Sequence, residues 1–116
     1  MYIIHIVQNN KTEEVVTVQT SITKISMKLN SEDAEIKAYA SIVINDSVKI
    51  NGIRITANRD GKILVVLPED SEKKIQYVVP MSTYFRQYLD NTLVDRYLKL
   101  RDALNKTATK GFDPNG

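Results

Sequence analysis

The 116-residue sequence contains no cysteine, one histidine, three prolines and only four glycines. The absence of cysteine excludes disulfide bonds, thiolate metal sites and cysteine nucleophiles. His5 has no second histidine or cysteine with which to share a zinc ion, so we predict a structural or exposed histidine and no metal site. The few glycines form neither a phosphate-binding loop nor a nucleophile elbow. We therefore predict no enzyme: no catalytic residue, no cofactor and no small-molecule substrate.

Long apolar runs are also missing. No stretch approaches the ~20 residues that a membrane-spanning helix needs, and the opening residues MYIIHIV lack the basic region of a signal peptide. The composition, with 42% hydrophobic and 26% charged residues, is ordinary for a globular domain with one core. We therefore predict that residues 1–116 form a single cytoplasmic domain with no membrane partner.

The sequence does contain many β-branched segments separated by polar turns. Between Ala38 and Pro68, three such segments flank the turns 45–47 and 58–61, a pattern that favours antiparallel pairing. Apolar positions change from even to odd across Asn51-Gly52, which predicts a β-bulge there. Residues 2–7 and 14–20 are expected to form an added hairpin, residues 22–29 and 75–79 further strands, and residues 69–74 a charged loop. We predict an antiparallel β-meander of about five to seven strands.

A helical pattern begins at Ser82, which is a predicted N-cap, and Gly111 is its predicted stop. The apolar residues that recur at helical spacing are Phe85, Leu89, Leu93, Tyr97, Leu100 and Leu104. Such a stripe needs a sheet beneath it. The predicted fold class is therefore α+β, an antiparallel β-meander sheet with a C-terminal α-helix packed on it.

The net charge of +2 comes from the C-terminal third, because residues 81–116 contain six basic and four acidic residues. Arg96, Lys99, Lys106 and Lys110 have a spacing that places them in one stripe beside the apolar face of the helix. Two interpretations remain open at this point. The stripe can follow a phosphate backbone, or it can be a solvated helix face whose late cations the helix dipole favours.

The predicted architecture also bears on assembly. One helix covers one face of the sheet and leaves its edge strands open. Pairing across a two-fold axis closes an open edge and doubles any basic stripe. We therefore predict a homodimer.

Residues 38–68 resemble the SpoVG family, named for stage V sporulation protein G and also for septation. The family pattern is approximately A-x-A-S-I, a strand, and then V-x-x-I-R-V-I-x-G-x-x-G-L-F-V-A-M-P. The matching residues are Ala38-Tyr39-Ala40-Ser41-Ile42, Val48, Ile53-Arg54-Ile55, Gly61 and Leu64-Val65-Val66-Leu67-Pro68. The similarity continues through Pro80-Met81-Ser82 and the helix positions Arg86, Tyr97, Lys99 and Leu100. It spans a core of about residues 22–104, between the hairpin 2–20 and the helix end and tail 105–116.

This resemblance implies a dimeric bacterial regulator that binds DNA, and in some members RNA, and that affects sporulation, septation or virulence genes. The family's binding determinants lie in or near the C-terminal helix and in the basic loop before it. Carried over by position, Arg86 and Lys99 are the helix candidates, Arg54 is the sheet candidate, and Lys73 and Lys74 are the loop candidates. The basic stripe adds Arg96 and Lys106 as candidate nucleic-acid contacts.

Three features differ from the family pattern. Glu69-Asp70 follow Pro68 where the family has Ser and basic residues, Val79 replaces a His, and the hairpin 2–20 has no counterpart in short members. The prediction is a SpoVG-like dimeric regulator of gene expression in sporulation or septation, with DNA as the first choice of nucleic-acid partner and RNA as the second. The alternative is a protein-interaction module of the same fold that no longer binds nucleic acid.

Overall fold

The structure is a computed structural model that describes residues 2–9 and 12–111, with side chains described from Thr20 to Lys106. His5, predicted to be a structural or exposed histidine, therefore lies outside the described side chains, as does Lys110 of the basic stripe. The elements in chain order are β1 Tyr2–Asn9, β2 Thr12–Gln19, β3 Ile22–Leu29, β4 Ile36–Ile44, β5 Val48–Ala57, β6 Ile63–Val66, β7 Glu69–Asp70, β8 Ile75–Gln76 and α1 Thr83–Gly111.

All strand pairs are antiparallel, and one C-terminal helix packs on the sheet, so the predicted α+β class is confirmed. The strands are divided among three sheets: β1-β2, β3-β4-β5-β6 and β7-β8. The meander that carries the helix thus has four strands rather than five to seven. The strand expected at 75–79 is shorter than predicted because Ile75 and Gln76 pair only with Asp70 and Glu69, which we had expected to lie in a loop.

The two predicted turns of the meander contain residues that adopt a positive φ. Asn45 and Asp46 have φ values of 51° and 54°, a conformation that Asn and Asp tolerate better than other side chains. Between β5 and β6, the side-chain carbonyl of Asn58 accepts hydrogen bonds from the backbone N–H groups of Asp60 and Lys62, at 3.0 and 2.9 Å. Gly61 completes this turn with φ 81°. Both turns occur where the sequence predicted them.

The predicted β-bulge is present in β5. Ala40 pairs with Ile53 and Ile42 pairs with Ile50, so β5 has one residue more than β4 between these two pairs. Gly52 takes φ 79° at this point. Ile50 and Ile53 consequently both pack against the core although their positions differ in parity.

The core lies between the four-stranded sheet and α1. Ser82 caps the helix, because its hydroxyl oxygen accepts a hydrogen bond from the N–H of Phe85 at 3.0 Å, which confirms the predicted N-cap. Leu89, Leu93 and Tyr97 are buried against the strands. Leu104, predicted to continue this stripe, is 57% exposed. The reason is length: 29 residues of helix extend about 43 Å, further than the strands beneath can cover.

The described residues contain no helix long and apolar enough to cross a membrane. They also contain no cluster of three or more His, Asp or Glu side chains placed to hold a metal ion.

Candidate nucleic-acid interface

The helix presents its cations on two different sides. At about 100° per residue, Arg96, Lys99 and Lys106 project to one side of the buried line through Leu93, and Arg86 and Arg101 to the other. Tyr88 shares the side of the first group, and its hydroxyl accepts a hydrogen bond from the N–H of Ile22 in β3 at 2.8 Å. We call Arg96, Lys99 and Lys106 the helix cations; they lie on the β3 side of α1.

The helix cations are all exposed. Lys99 forms an ion pair with Asp95 one turn earlier at 3.0 Å, with side chains 74% and 63% exposed. An exposed pair of this kind holds its lysine weakly. Among the described side chains, Arg96 and Lys106 enter no ion pair. Two of the three helix cations therefore have their full charge available to a ligand.

Arg86 has a different environment on the β6 side of the helix. Its Nη2 donates a hydrogen bond to the backbone carbonyl of Val65 at 2.6 Å, and its Nε donates to Asp90 Oδ2 at 3.1 Å. β6 is one of the two edge strands of the sheet, so Arg86 joins the helix to that edge. The same side of the helix, with Arg101, lines an open groove of about 880 Å³ against β6. Arg86 thus stands apart from the helix cations and has structural partners of its own.

The loop candidates Lys73 and Lys74 lie between the short strands β7 and β8, and both are exposed. Asp70 Oδ1 accepts hydrogen bonds from the N–H groups of Glu72 and Lys73, both at 3.1 Å, and so shapes the turn. Lys74 closes it with φ 55°. The two lysines are presented together, beside the acidic residues of the same turn.

Arg54, the sheet candidate, lies on the side of the four-stranded sheet that faces away from α1. Its neighbours Ile53 and Ile55 are fully buried toward the helix, so alternation places Arg54 on the opposite face. Its Nη2 lies 3.4 Å from Glu69 Oε1, with both side chains about one-third exposed. Glu69 follows Pro68, where the family pattern has Ser and basic residues. Its carboxylate therefore pairs with a candidate phosphate-binding group, where the family pattern has no acidic side chain.

The predicted candidates therefore lie in four separate places: the helix cations on the β3 side of α1, the loop lysines Lys73 and Lys74, Arg54 on the far side of the sheet, and Arg86 on the β6 side of α1. Further cations on the face of the sheet that carries Arg54 were not predicted. They are Lys24, Lys28 and Lys49, all exposed. The sequence could have revealed them. The apolar residues that identify each strand occur at every second position, and these lysines lie at the positions between them.

A family model described as SpoVG matches residues 20–99 of the chain. This range includes β3 to β8 and the first half of α1, and it leaves the hairpin β1-β2 outside. It is well over half of the 116 residues. No curated protein matches the chain.

Proposed function

The chain belongs to the SpoVG family, and from that premise we propose that it is a dimeric nucleic-acid-binding regulator that acts on sporulation or septation genes. In this proposal the helix cations and the loop lysines contact phosphates. The preferred ligand is DNA, with RNA as the second possibility. No catalytic role is assigned to any residue.

The observation that carries the proposal is the exposure of the helix cations along the β3 side of α1. Arg96 and Lys106 lie ten residues apart, roughly 15 Å along the helix axis. Phosphates of one nucleic-acid strand recur at intervals of several ångströms, so such a line can contact more than one of them. Each lysine or arginine that neutralises a phosphate releases counterions and adds affinity without reading the base sequence.

The dimer in this proposal is supported by two surfaces. The four-stranded sheet ends in the edge strands β3 and β6, which have no further strand beside them in the described part of the chain. The segment before the helix also exposes large apolar side chains at alternate positions: Ile75 44%, Tyr77 62%, Val79 52% and Met81 92%. Exposed apolar surface of this kind often marks contact with another protein chain. Sedimentation should show a dimer at micromolar concentration, and a monomer alone would contradict this part of the proposal.

The salt dependence of binding tests phosphate contact directly. We expect the affinity for random duplex DNA to fall steeply as salt is added. The double substitution Arg96→Ala with Lys106→Ala removes two exposed cations, and we expect it to lower the slope of log affinity against log salt by about 1.8. The matched control is Lys62→Ala, which removes an exposed cation on the groove side of the sheet. An unchanged slope in the double variant would remove the helix cations from the interface.

The second candidate function is a protein-interaction module that keeps the fold but binds no nucleic acid. The exposed apolar segment 75–81 favours it, as do the carboxylates of the turn that follows Pro68. The two functions differ in one simple result. If neither duplex nor single-stranded probes bind at low salt, the interaction module is favoured and the nucleic-acid proposal fails.

A further inference from the structure

The face of the four-stranded sheet that points away from α1 is strongly basic. Strands β3 to β6 contain five basic residues and no Asp or Glu. Four of the five, Lys24, Lys28, Lys49 and Arg54, lie on this side, because the residues next to them that pack toward the helix are Ile25, Met27 and Leu29 in β3 and Ile50, Ile53 and Ile55 in β5. We call this surface the open face; it includes these four cations with Ser26, Tyr39, Ser41 and Val43, and Glu69 reaches it through its ion pair with Arg54. A surface with such a charge favours an anionic partner.

An aromatic ring lies between two of these cations. In the strand register Tyr39 is directly paired with Lys28 on one side and with Arg54 on the other. Directly paired residues on one face have Cβ atoms about 4.5–5.5 Å apart. Tyr39 is 45% exposed, although its neighbours Ala38 and Ala40 are buried. The open face therefore has a row in which one aromatic ring is flanked by a positive charge on each side.

Beside Tyr39 the open face has a shallow depression of about 310 Å³. Its polar lining includes Ser26, Ser41 and Asn51, and it reaches the bulge at Gly52. The bulge interrupts regular pairing here, and Gly52 has no side chain to fill the space. Hydroxyl and amide groups around a depression of this kind can bond to the edge of a nucleobase, while the ring beside it supports the base from one side.

We infer that the open face binds single-stranded nucleic acid, with one unpaired base stacked on Tyr39 and the adjoining phosphates held by Lys28 and Arg54. The inference rests on the proposed function, which supplies the class of ligand, a nucleic acid. It differs in assigning the open face instead of the helix cations, and a single strand instead of a duplex. The ligand is single-stranded because bases in a duplex are already stacked on one another and cannot cover the Tyr39 ring. Aromatic side chains between cations on an open sheet are a general means of binding unpaired bases.

The charge of the open face argues against a second copy of the chain as its occupant. Two copies related by a two-fold axis through this surface would place Lys24, Lys28, Lys49 and Arg54 against the same cations of the partner. Like charges brought together in an interface are unfavourable. A dimer formed through a sheet edge or through the segment 75–81 leaves the open face accessible.

The test measures binding of labelled poly-dT, poly-rU of the same length, and a random duplex by fluorescence anisotropy, using the full chain. Tyr39→Ala should weaken binding of the single strands roughly 5- to 150-fold, the range expected for the loss of one stacked base. Tyr39→Phe keeps the ring and should bind close to wild type. The matched control is Tyr84→Ala, which removes a ring that is 64% exposed at the start of the helix. Duplex binding should be the same in all four proteins.

Two further measurements keep the test independent of folding defects. Thermal unfolding identifies any variant that has lost its structure, and photocrosslinking of wild type to a bromouridine-containing oligonucleotide should label the peptide that contains Tyr39. Lys28→Gln and Arg54→Gln should each lower the salt slope for the single strands by about 0.7. The poly-dT and poly-rU arms show whether DNA or RNA occupies the face.

The outcomes separate the two proposals. If single strands bind as tightly to Tyr39→Ala as to wild type, or only the duplex binds, the open-face inference is overturned and the proposed function stands. If Tyr39→Ala weakens duplex and single strands equally, the assignment to unpaired bases is also overturned. If wild type binds none of the probes, both fail. Selective loss of single-strand binding in Tyr39→Ala, recovered in Tyr39→Phe, supports the inference.

Discussion

Replacing Arg86 by alanine should mainly lower the stability of the fold, and any effect on ligand binding should be secondary. The guanidinium group donates to the carbonyl of Val65 at 2.6 Å and to Asp90 at 3.1 Å. Val65 belongs to the edge strand β6, which has no further strand to bond with in the described part of the chain. Arg86 thus joins the helix to this sheet edge by a hydrogen bond.

The expected loss is about 2–3 kcal/mol of unfolding free energy, most of it from the bond to Val65. A hydrogen bond from a charged donor contributes about 1.5–3 kcal/mol. The Arg86–Asp90 pair adds little, about 0.3–0.5 kcal/mol, because its side chains are 38% and 37% exposed. Arg86→Lys should recover only part of the loss, since one ammonium group cannot reproduce the geometry of the guanidinium fork.

Urea unfolding followed by far-UV circular dichroism, at one protein concentration, measures this loss. Arg96→Ala is the matched control, because it removes an exposed arginine from the same helix and should change stability by no more than about 0.5 kcal/mol. The reasoning would be refuted if Arg86→Ala were as stable as Arg96→Ala and yet bound nucleic acid poorly. That result would make Arg86 a ligand contact, as its place in the family pattern suggests, and not an anchor of the helix.

Three further predictions concern the bulge, the core and the ion pair of Arg54. Gly52→Ala should lower the free energy of unfolding in urea by about 1–2 kcal/mol, because alanine is strained at the left-handed φ of this position. Steric overlap adds nothing, since the new Cβ would lie 3.8 Å from the nearest atom. Gly52→Asn should cost less, and equal stability of Gly52→Ala and wild type would show that the bulge does not require this φ. Leu93→Ala removes a fully buried side chain and should lower stability by about 2.7–5 kcal/mol; a smaller loss in calorimetry would mean that the core collapses around the site. Glu69→Gln frees Arg54 from its ion pair and should tighten single-strand binding at low salt by up to about 5-fold, whereas unchanged affinity would show that Glu69 does not compete with phosphate.

Local signals predicted the fold where one stretch of chain decides the outcome. The change of parity around Asn51-Gly52 identified the bulge, and Ser82 identified the start of the helix. Spacing alone did not show that Leu104 is exposed, because a periodic stripe shows which residues share a side and not how far the neighbouring sheet reaches. The division of the strands into three sheets likewise depends on partners distant in sequence.

The candidate site was harder to predict for a similar reason. Helical spacing is enough to place Arg96, Lys99 and Lys106 on one side of α1, because all three lie within one element. The row formed by Lys28, Tyr39 and Arg54 joins three strands, and only the register brings these residues side by side. The pairing of strands in the meander places cations that are far apart in the sequence on one surface. Composition alone cannot show this surface.

The bulge in β5 also determines where this chain can change length. Deleting Gly52 would restore regular pairing with β4 and keep Ile50 toward the core and Lys49 on the open face, because Ile50 would then lie two residues before Ile53. A one-residue deletion elsewhere in β5 would instead reverse the residues on one side of the deletion, so that core positions and open-face positions would be exchanged. The turn at 58–61 lies outside the ladder and carries no such constraint. Among related sequences, one-residue changes of length should therefore collect at this turn and at the bulge, and be absent from the rest of β5.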